Sequence, residues 1–156
     1  MKWPRWIKQD FDHNLREVAP GLYVGAEYSA GLRPDGPWQL VVDLYGSSRD
    51  TTKWVLYWGS DEVMAIPFDD GDGFPDGALD RIGTAVMEAI QSGPVLIHCQ
   101  AGLSRSASAA YAMLRALYGL NDREAVSRVK IMPAFPRKKT LQSARDWVHA
   151  RDRIKQ

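Results

Sequence analysis

Between Gly93 and Ser106 the chain reads GPVLIHCQAGLSRS, and few folds accept such a stretch. Val95, Leu96 and Ile97 form a short apolar run behind a Gly-Pro break. That is the pattern of a strand buried inside a sheet covered on both faces. From about Ser104 the periodicity turns helical, with Ala107, Ala110, Tyr111, Leu114 and Tyr118 on one face. Strand and helix are joined only by the loop that starts after Cys99, the single cysteine of the chain, and ends at Arg105.

A strand-loop-helix unit of this kind points successive backbone N–H groups into one concavity, with the positive end of the helix dipole behind it. That is an anion site. Gly102 lets the backbone turn where a side chain would block it. Arg105 offers a planar fork of donors that matches two phosphate oxygens. Cys99 stands at the base of the cradle, facing the phosphorus of a bound phosphate. A thiol must ionise to attack. Unperturbed thiols have a pKa of about 8.5, whereas activated ones reach roughly 3.5–7.5. Lowering a pKa by ~3 requires about 4 kcal/mol. A helix terminus supplies up to ~2 kcal/mol. The dipole alone is too small, so the loop N–H groups and Arg105 must contribute the remainder.

Composition narrows the classes. A chain of 156 residues is one domain with room for a sizeable core. With 45% hydrophobic and 25% charged residues it is globular rather than disordered. A net charge of +1 gives no global argument for nucleic acid or membrane. One cysteine excludes an intrachain disulfide framework and fits a reducing compartment. No apolar run approaches membrane length and no signal peptide is visible, so the expected place is the cytoplasm. His13, His98 and His149 form no metal-ligand spacing.

The rest of the chain fits an α/β order. The polar segment 1–20, with Trp3, Trp6 and Phe11, reads as an N-terminal extension packed on the domain. Short strands are expected over 22–25, 40–44, 54–58 and 63–66. Helices are expected over 77–91, 104–118, 122–131 and 140–153, the third opened by an Asn121/Glu124 capping box. Leu79, Ile82, Val86 and Ile90 form the stripe of the first, and Leu141, Ala144, Trp147 and Val148 that of the last. Such an order predicts a central sheet with helices on both faces, and ligand binding at the carboxyl end of a strand. Residues 68–77 form a loop rich in glycine and carboxylates, with Asp76 as the expected N-cap of the next helix.

His98-Cys99-Gln100-Ala101-Gly102-Leu103-Ser104-Arg105-Ser106 resembles the H-C-x-x-G-x-x-R-S signature of cysteine-dependent protein phosphatases. The Ala101-Gly102 pair with Ser104-Arg105-Ser106 is most similar to the dual-specificity branch of the protein tyrosine phosphatase superfamily. Leu22-Tyr23-Val24-Gly25 resembles that family's early L-Y-x-G strand, and the likeness spans roughly residues 20–150.

The resemblance implies a mostly parallel sheet of four to five strands and hydrolysis of phosphotyrosine and phosphoserine or phosphothreonine monoesters. It implies no cofactor and no metal. Cys99 would attack phosphorus, while Arg105 and the N–H groups of Gln100, Ala101, Gly102, Leu103, Ser104 and Arg105 would hold the oxygens. Ser106 would help the sulfur leave, and His98 would order the loop. The general acid follows the proline of the upstream loop by three residues, which is Asp70; Asp69 and Asp72 are its competitors. The uncharged side chains of Gln100, Ala101, Leu103 and Ser104 argue against phosphoinositides, whose phosphatases carry lysines there. In place of the family's frequent Pro-Asn before the last helix stand Pro136 and Arg137-Lys138-Lys139, a cluster expected to add positive potential beside the site. Three alternatives stay open: an RNA 5′-triphosphatase, a rhodanese-like sulfurtransferase and a non-catalytic phosphoprotein-binding module.

Overall fold

A computed structural model of the chain describes residues 15–26, 38–45, 62–130 and 135–155. Its strands are β1 (Arg16–Ala19), β2 (Leu22–Gly25), β3 (Leu40–Asp43), β4 (Val63–Ala65) and β5 (Val95–His98). Its helices are α1 (Ala78–Ala89), α2 (Arg105–Ala116), α3 (Asp122–Val129) and α4 (Lys138–Lys155). One five-stranded sheet runs in the order β1-β2-β5-β3-β4. The last four are parallel, and β1 lies antiparallel on the β2 edge with a bulge between Glu17 and Ala19. No described helix is long and apolar enough to cross a membrane.

Strand β5 sits between β2 and β3, and all four of its residues are buried, as the run Val95–Ile97 implied. In the register, His98 stands opposite both Gly25 and Asp43. Three parallel strands therefore finish at the same level, and Cys99 is the next residue of the central one.

Alternation along the strands divides the core. Leu22, Val24, Leu40, Val42, Val95 and Ile97 join buried residues of all four helices in the main cluster. Val41 and Leu96 join Trp38 in a smaller cluster on the other face, with Leu15, Tyr23 and Val63 against it. Helix α2 is buried at every position from Arg105 to Leu114. Its serines and alanines allow close packing against the sheet and the neighbouring helices. Asp122 ties three helices together: it accepts from Tyr111 Oη at 2.6 Å and from both Nε and Nη2 of Arg145, at 2.9 and 3.2 Å. The Arg145 fork holds the Asp122 carboxyl below its ordinary range.

The α/β class with a mostly parallel central sheet is as expected, with five strands among the described residues. The expected strand over 54–58 and Trp3, Trp6 and Phe11 fall outside the described residues, and the four described helices all pack in the main cluster. Strand β1 departs from the sequence expectation, which places residues 16–19 in a polar extension. Asp76 is not the N-cap of α1: that position belongs to Gly77 in the left-handed region (φ 76°), with no side-chain cap bond.

The α3 capping box is present, with Glu124 N–H donating to Asn121 Oδ1 at 2.9 Å and Asn121 N–H to Glu124 Oε1 at 3.3 Å. Asn121→Ala should cost about 1 kcal/mol of stability, read from urea unfolding. No change would mean that packing alone holds α3.

Candidate active site

The site is built at the carboxyl end of β5. Cys99 is 2% exposed, and its N–H donates to Gly25 O at 3.3 Å, so the loop begins by continuing the ladder with β2. Gly102 then presses onto the same strand end. It adopts φ +73°, and a Cβ there would lie 2.8 Å from Gly25 C and 2.9 Å from Gly25 O. Both neighbours are backbone and cannot step aside, so glycine is required on two counts, conformation and space. Gln100 and Ala101 face solvent, Leu103 is half-buried, and Ser104 and Arg105 are buried.

The Cys99 sulfur lies 3.1 Å from Ser106 Oγ, in the fully buried first turn of α2. Either atom can donate in this contact; to a thiolate only the Ser106 hydroxyl can. Arg105 Nη1 donates to Phe68 O at 2.8 Å and Leu44 O at 3.4 Å, and the guanidinium lies 5.5 Å from the Tyr45 ring centroid. Arg105 thus joins the loop to the end of β3 and to the segment carrying the aspartates. Its Nε is buried and has no hydrogen-bond partner among the described residues. A buried donor of a charged group is costly to leave unmatched, and an oxyanion would satisfy it.

His98 is wholly buried, with Nδ1 donating to Cys99 O at 3.4 Å and Nε2 lying 3.6 Å from Asp43 Oδ1. Burial pushes the imidazole below its ordinary value, and this outweighs the opposing pull of the Asp43 carboxylate and the Cys99 carbonyl. Asp43 also accepts from Tyr45 N–H at 2.9 Å, so the ring is held between two fixed groups.

Asp70 is exposed, and its Oδ2 accepts from Arg137 Nε at 3.3 Å. The backbone N–H of Arg137 in turn donates to Ser104 Oγ at 2.9 Å. Asp70 is therefore the aspartate connected through one residue to the loop that follows β5. Asp69 accepts through its carbonyl from Asp72 N–H at 3.1 Å, forming the turn. Asp72 lies 4.0 Å from Lys139 Nζ, and its carbonyl accepts from Thr140 Oγ1 at 2.8 Å. Two members of the basic cluster, Arg137 and Lys139, are paired with the aspartate loop. Among the described residues no three His, Cys, Asp or Glu gather where they could hold a metal ion.

Arg16 is a site residue that the sequence alone does not reveal. From the edge strand β1, 7% exposed, its Nη1 donates to Gly102 O at 3.0 Å and its Nη2 to Val129 O. A basic residue in a polar N-terminal segment gives no hint of burial. Its place opposite Val24 becomes visible only with the strand pairing.

No protein-family model matches the chain, and no curated protein matches it. Solved structures do. Tk-PTP in its active form superposes with a TM-score of 0.73 at 22% identity, over 88% of this chain and 97% of that one. Human DUSP28 gives 0.72 at 23% identity, over 89% and 95%. A P. aeruginosa TpbA variant in complex with pTyr gives 0.63 at 21% identity, over 86% and 82%. The chain has the fold of the dual-specificity and tyrosine phosphatases, as its loop motif implied.

Two outcomes are expected. Gly102→Ala should abolish oxyanion binding in protein that still folds, read by calorimetry with tungstate; undiminished binding would mean that the loop can move off Gly25. The unfolded chain protonates His98 near its ordinary value of about 6.5, while the buried ring resists. Stability should therefore be level above about pH 6.5 and fall as pH drops below it. His98→Asn should flatten that slope in denaturation series between about pH 7 and 5; an unchanged slope would assign it to other groups.

Proposed function

We propose that this chain is a cysteine-dependent phosphatase acting on phosphorylated proteins, with Cys99 as nucleophile. The observation that carries the reading is the 3.1 Å contact between Cys99 Sγ and Ser106 Oγ at the base of an anion loop. A module that only binds phosphate has no use for a hydroxyl on that sulfur. An enzyme whose sulfur must later leave phosphorus does, because the donor stabilises the departing thiolate.

In the first step the Cys99 sulfur attacks phosphorus, forming the P–S bond as the P–O bond to the leaving group breaks. Asp70 gives its proton to the leaving oxygen, since an alkoxide or phenoxide departs poorly. In the second step water attacks phosphorus and gives its proton to the Asp70 carboxylate. The P–S bond breaks, and Ser106 donates to the returning thiolate. Throughout, Arg105 and the loop N–H groups hold the equatorial oxygens, most strongly where charge develops. His98, through the Cys99 carbonyl, keeps the start of the loop in place.

Phosphotyrosine is supported as substrate by the pTyr complex of the similarly folded TpbA variant. The uncharged side chains of Gln100, Ala101, Leu103 and Ser104 fit a protein monoester, phosphoserine and phosphothreonine included, better than a polyanionic headgroup. Sulfur transfer needs neither Asp70 as a proton donor to a leaving oxygen nor the Arg105 fork as a clamp on phosphoryl oxygens. RNA 5′ ends find no support in a net charge of +1.

The test is hydrolysis of p-nitrophenyl phosphate without metal, inhibited by vanadate and absent in Cys99→Ser. Persistence of turnover in that variant would overturn the reading. Asp70→Asn should lower kcat by about 10²–10⁴-fold on phenyl phosphate and far less on p-nitrophenyl phosphate, whose leaving group needs little protonation. Asp69→Asn and Asp72→Asn should show no such dependence on the leaving group. If one of them does and Asp70→Asn does not, that aspartate is the acid.

A further inference from the structure

Gly102 meets one demand and creates another. Only glycine fits against the backbone of Gly25 at φ +73°. Yet glycine is also the residue least able to hold one orientation of the peptide that follows it, because at positive φ it alone can also take ψ near 180°. If the peptide after Gly102 turned over, a carbonyl oxygen would enter the concavity where N–H groups must point. A carbonyl dipole beside a phosphate repels it, so the loop would lose its anion in that state.

The structure holds that carbonyl. Arg16 Nη1 donates to Gly102 O at 3.0 Å, and because Arg16 is only 7% exposed, the oxygen it holds is turned into the protein rather than toward solvent. The guanidinium is itself fixed by its second donor, on the Val129 carbonyl at the last turn of α3, where helix carbonyls lack partners of their own. Burial pushes Arg16 down to about 10, still far above neutral, so the charge persists, and negative charge on Cys99 acts in the opposite sense.

We infer that Arg16 is a positioning residue for the oxyanion loop, holding the Gly102 carbonyl inward so that the loop N–H groups face the bound phosphate. The inference rests on the phosphatase reading. It assigns a role in binding to an edge strand that contributes no residue to the loop itself.

The experiment compares vanadate inhibition constants, KM and thermal midpoints of the wild-type chain, Arg16→Met and Arg16→Lys. Arg16→Met preserves bulk without the donors and should raise the vanadate constant and KM by about tenfold or more, the scale of a lost charged hydrogen bond. Arg16→Lys keeps the charge and one donor and should fall between. A folded Arg16→Met with a lowered thermal midpoint but wild-type vanadate affinity would make Arg16 merely structural and overturn the inference. If Arg16→Met does not fold, Arg16→Lys decides: a raised constant supports the inference, and a wild-type one overturns it. A wild-type chain insensitive to vanadate would overturn the phosphatase reading, and this inference with it.

Discussion

The contact between Gly102 and the backbone of Gly25 governs the geometry of the site. It sets the depth of the loop against the sheet, because atoms on both sides are main chain and neither can yield. Parallel pairing brings Gly25, His98 and Asp43 to one level. The Cys99 N–H extends the ladder to Gly25, and Gly102 closes back onto the same residue. The sulfur is thereby confined between the end of β5 and the start of α2, within 3.1 Å of Ser106. A hydrophobic sheet and a buried helix thus fix the base of the loop, where Cys99, Ser104, Arg105 and Ser106 are all buried.

Around that base, three arginines divide the work by burial. Arg16, buried, fixes a loop carbonyl from behind. Arg105, also buried, binds carbonyls at the end of β3 and in the aspartate loop, and its Nε has no hydrogen-bond partner among the described residues. Arg137, largely exposed, pairs with Asp70 while its main chain is bound to Ser104. Exposed pairs of this kind contribute roughly 0–1 kcal/mol, so Arg137 orients a carboxylate rather than stabilising the fold. The aspartate loop is held more firmly by Thr140 Oγ1 on Asp72 O and by Phe74 N–H on Ser143 Oγ, two bonds to α4.

Much of this is legible in the sequence, and the limits have physical causes. The apolar run Val95–Ile97, the glycine and the arginine in the loop, and the Asn121/Glu124 box are local signals that tertiary packing does not override. The unbroken burial of α2 from Arg105 to Leu114 is not legible, since serine and alanine carry too little hydrophobic signal to show that every face is covered. Strand β1 is hidden because its four residues include Arg16 and Glu17, which read as solvent-facing until pairing with β2 places one of them inside. Long-range partners such as Arg16 with Gly102 leave no trace in spacing. The same holds for Arg137 with Asp70: the charges are visible, but only the fold shows that they meet.

The measurement that bears most directly on Cys99 as nucleophile is capture of the covalent intermediate. Native chain mixed with a phosphotyrosine peptide, quenched in acid within one turnover and digested, should carry one phosphoryl group on the peptide containing Cys99. The signal should be absent in Cys99→Ser and stronger in Asp70→Asn with an activated aryl phosphate, where the second step is slowed. Turnover with no phosphate on Cys99 at any quench time, or phosphate on another residue, would contradict the assignment.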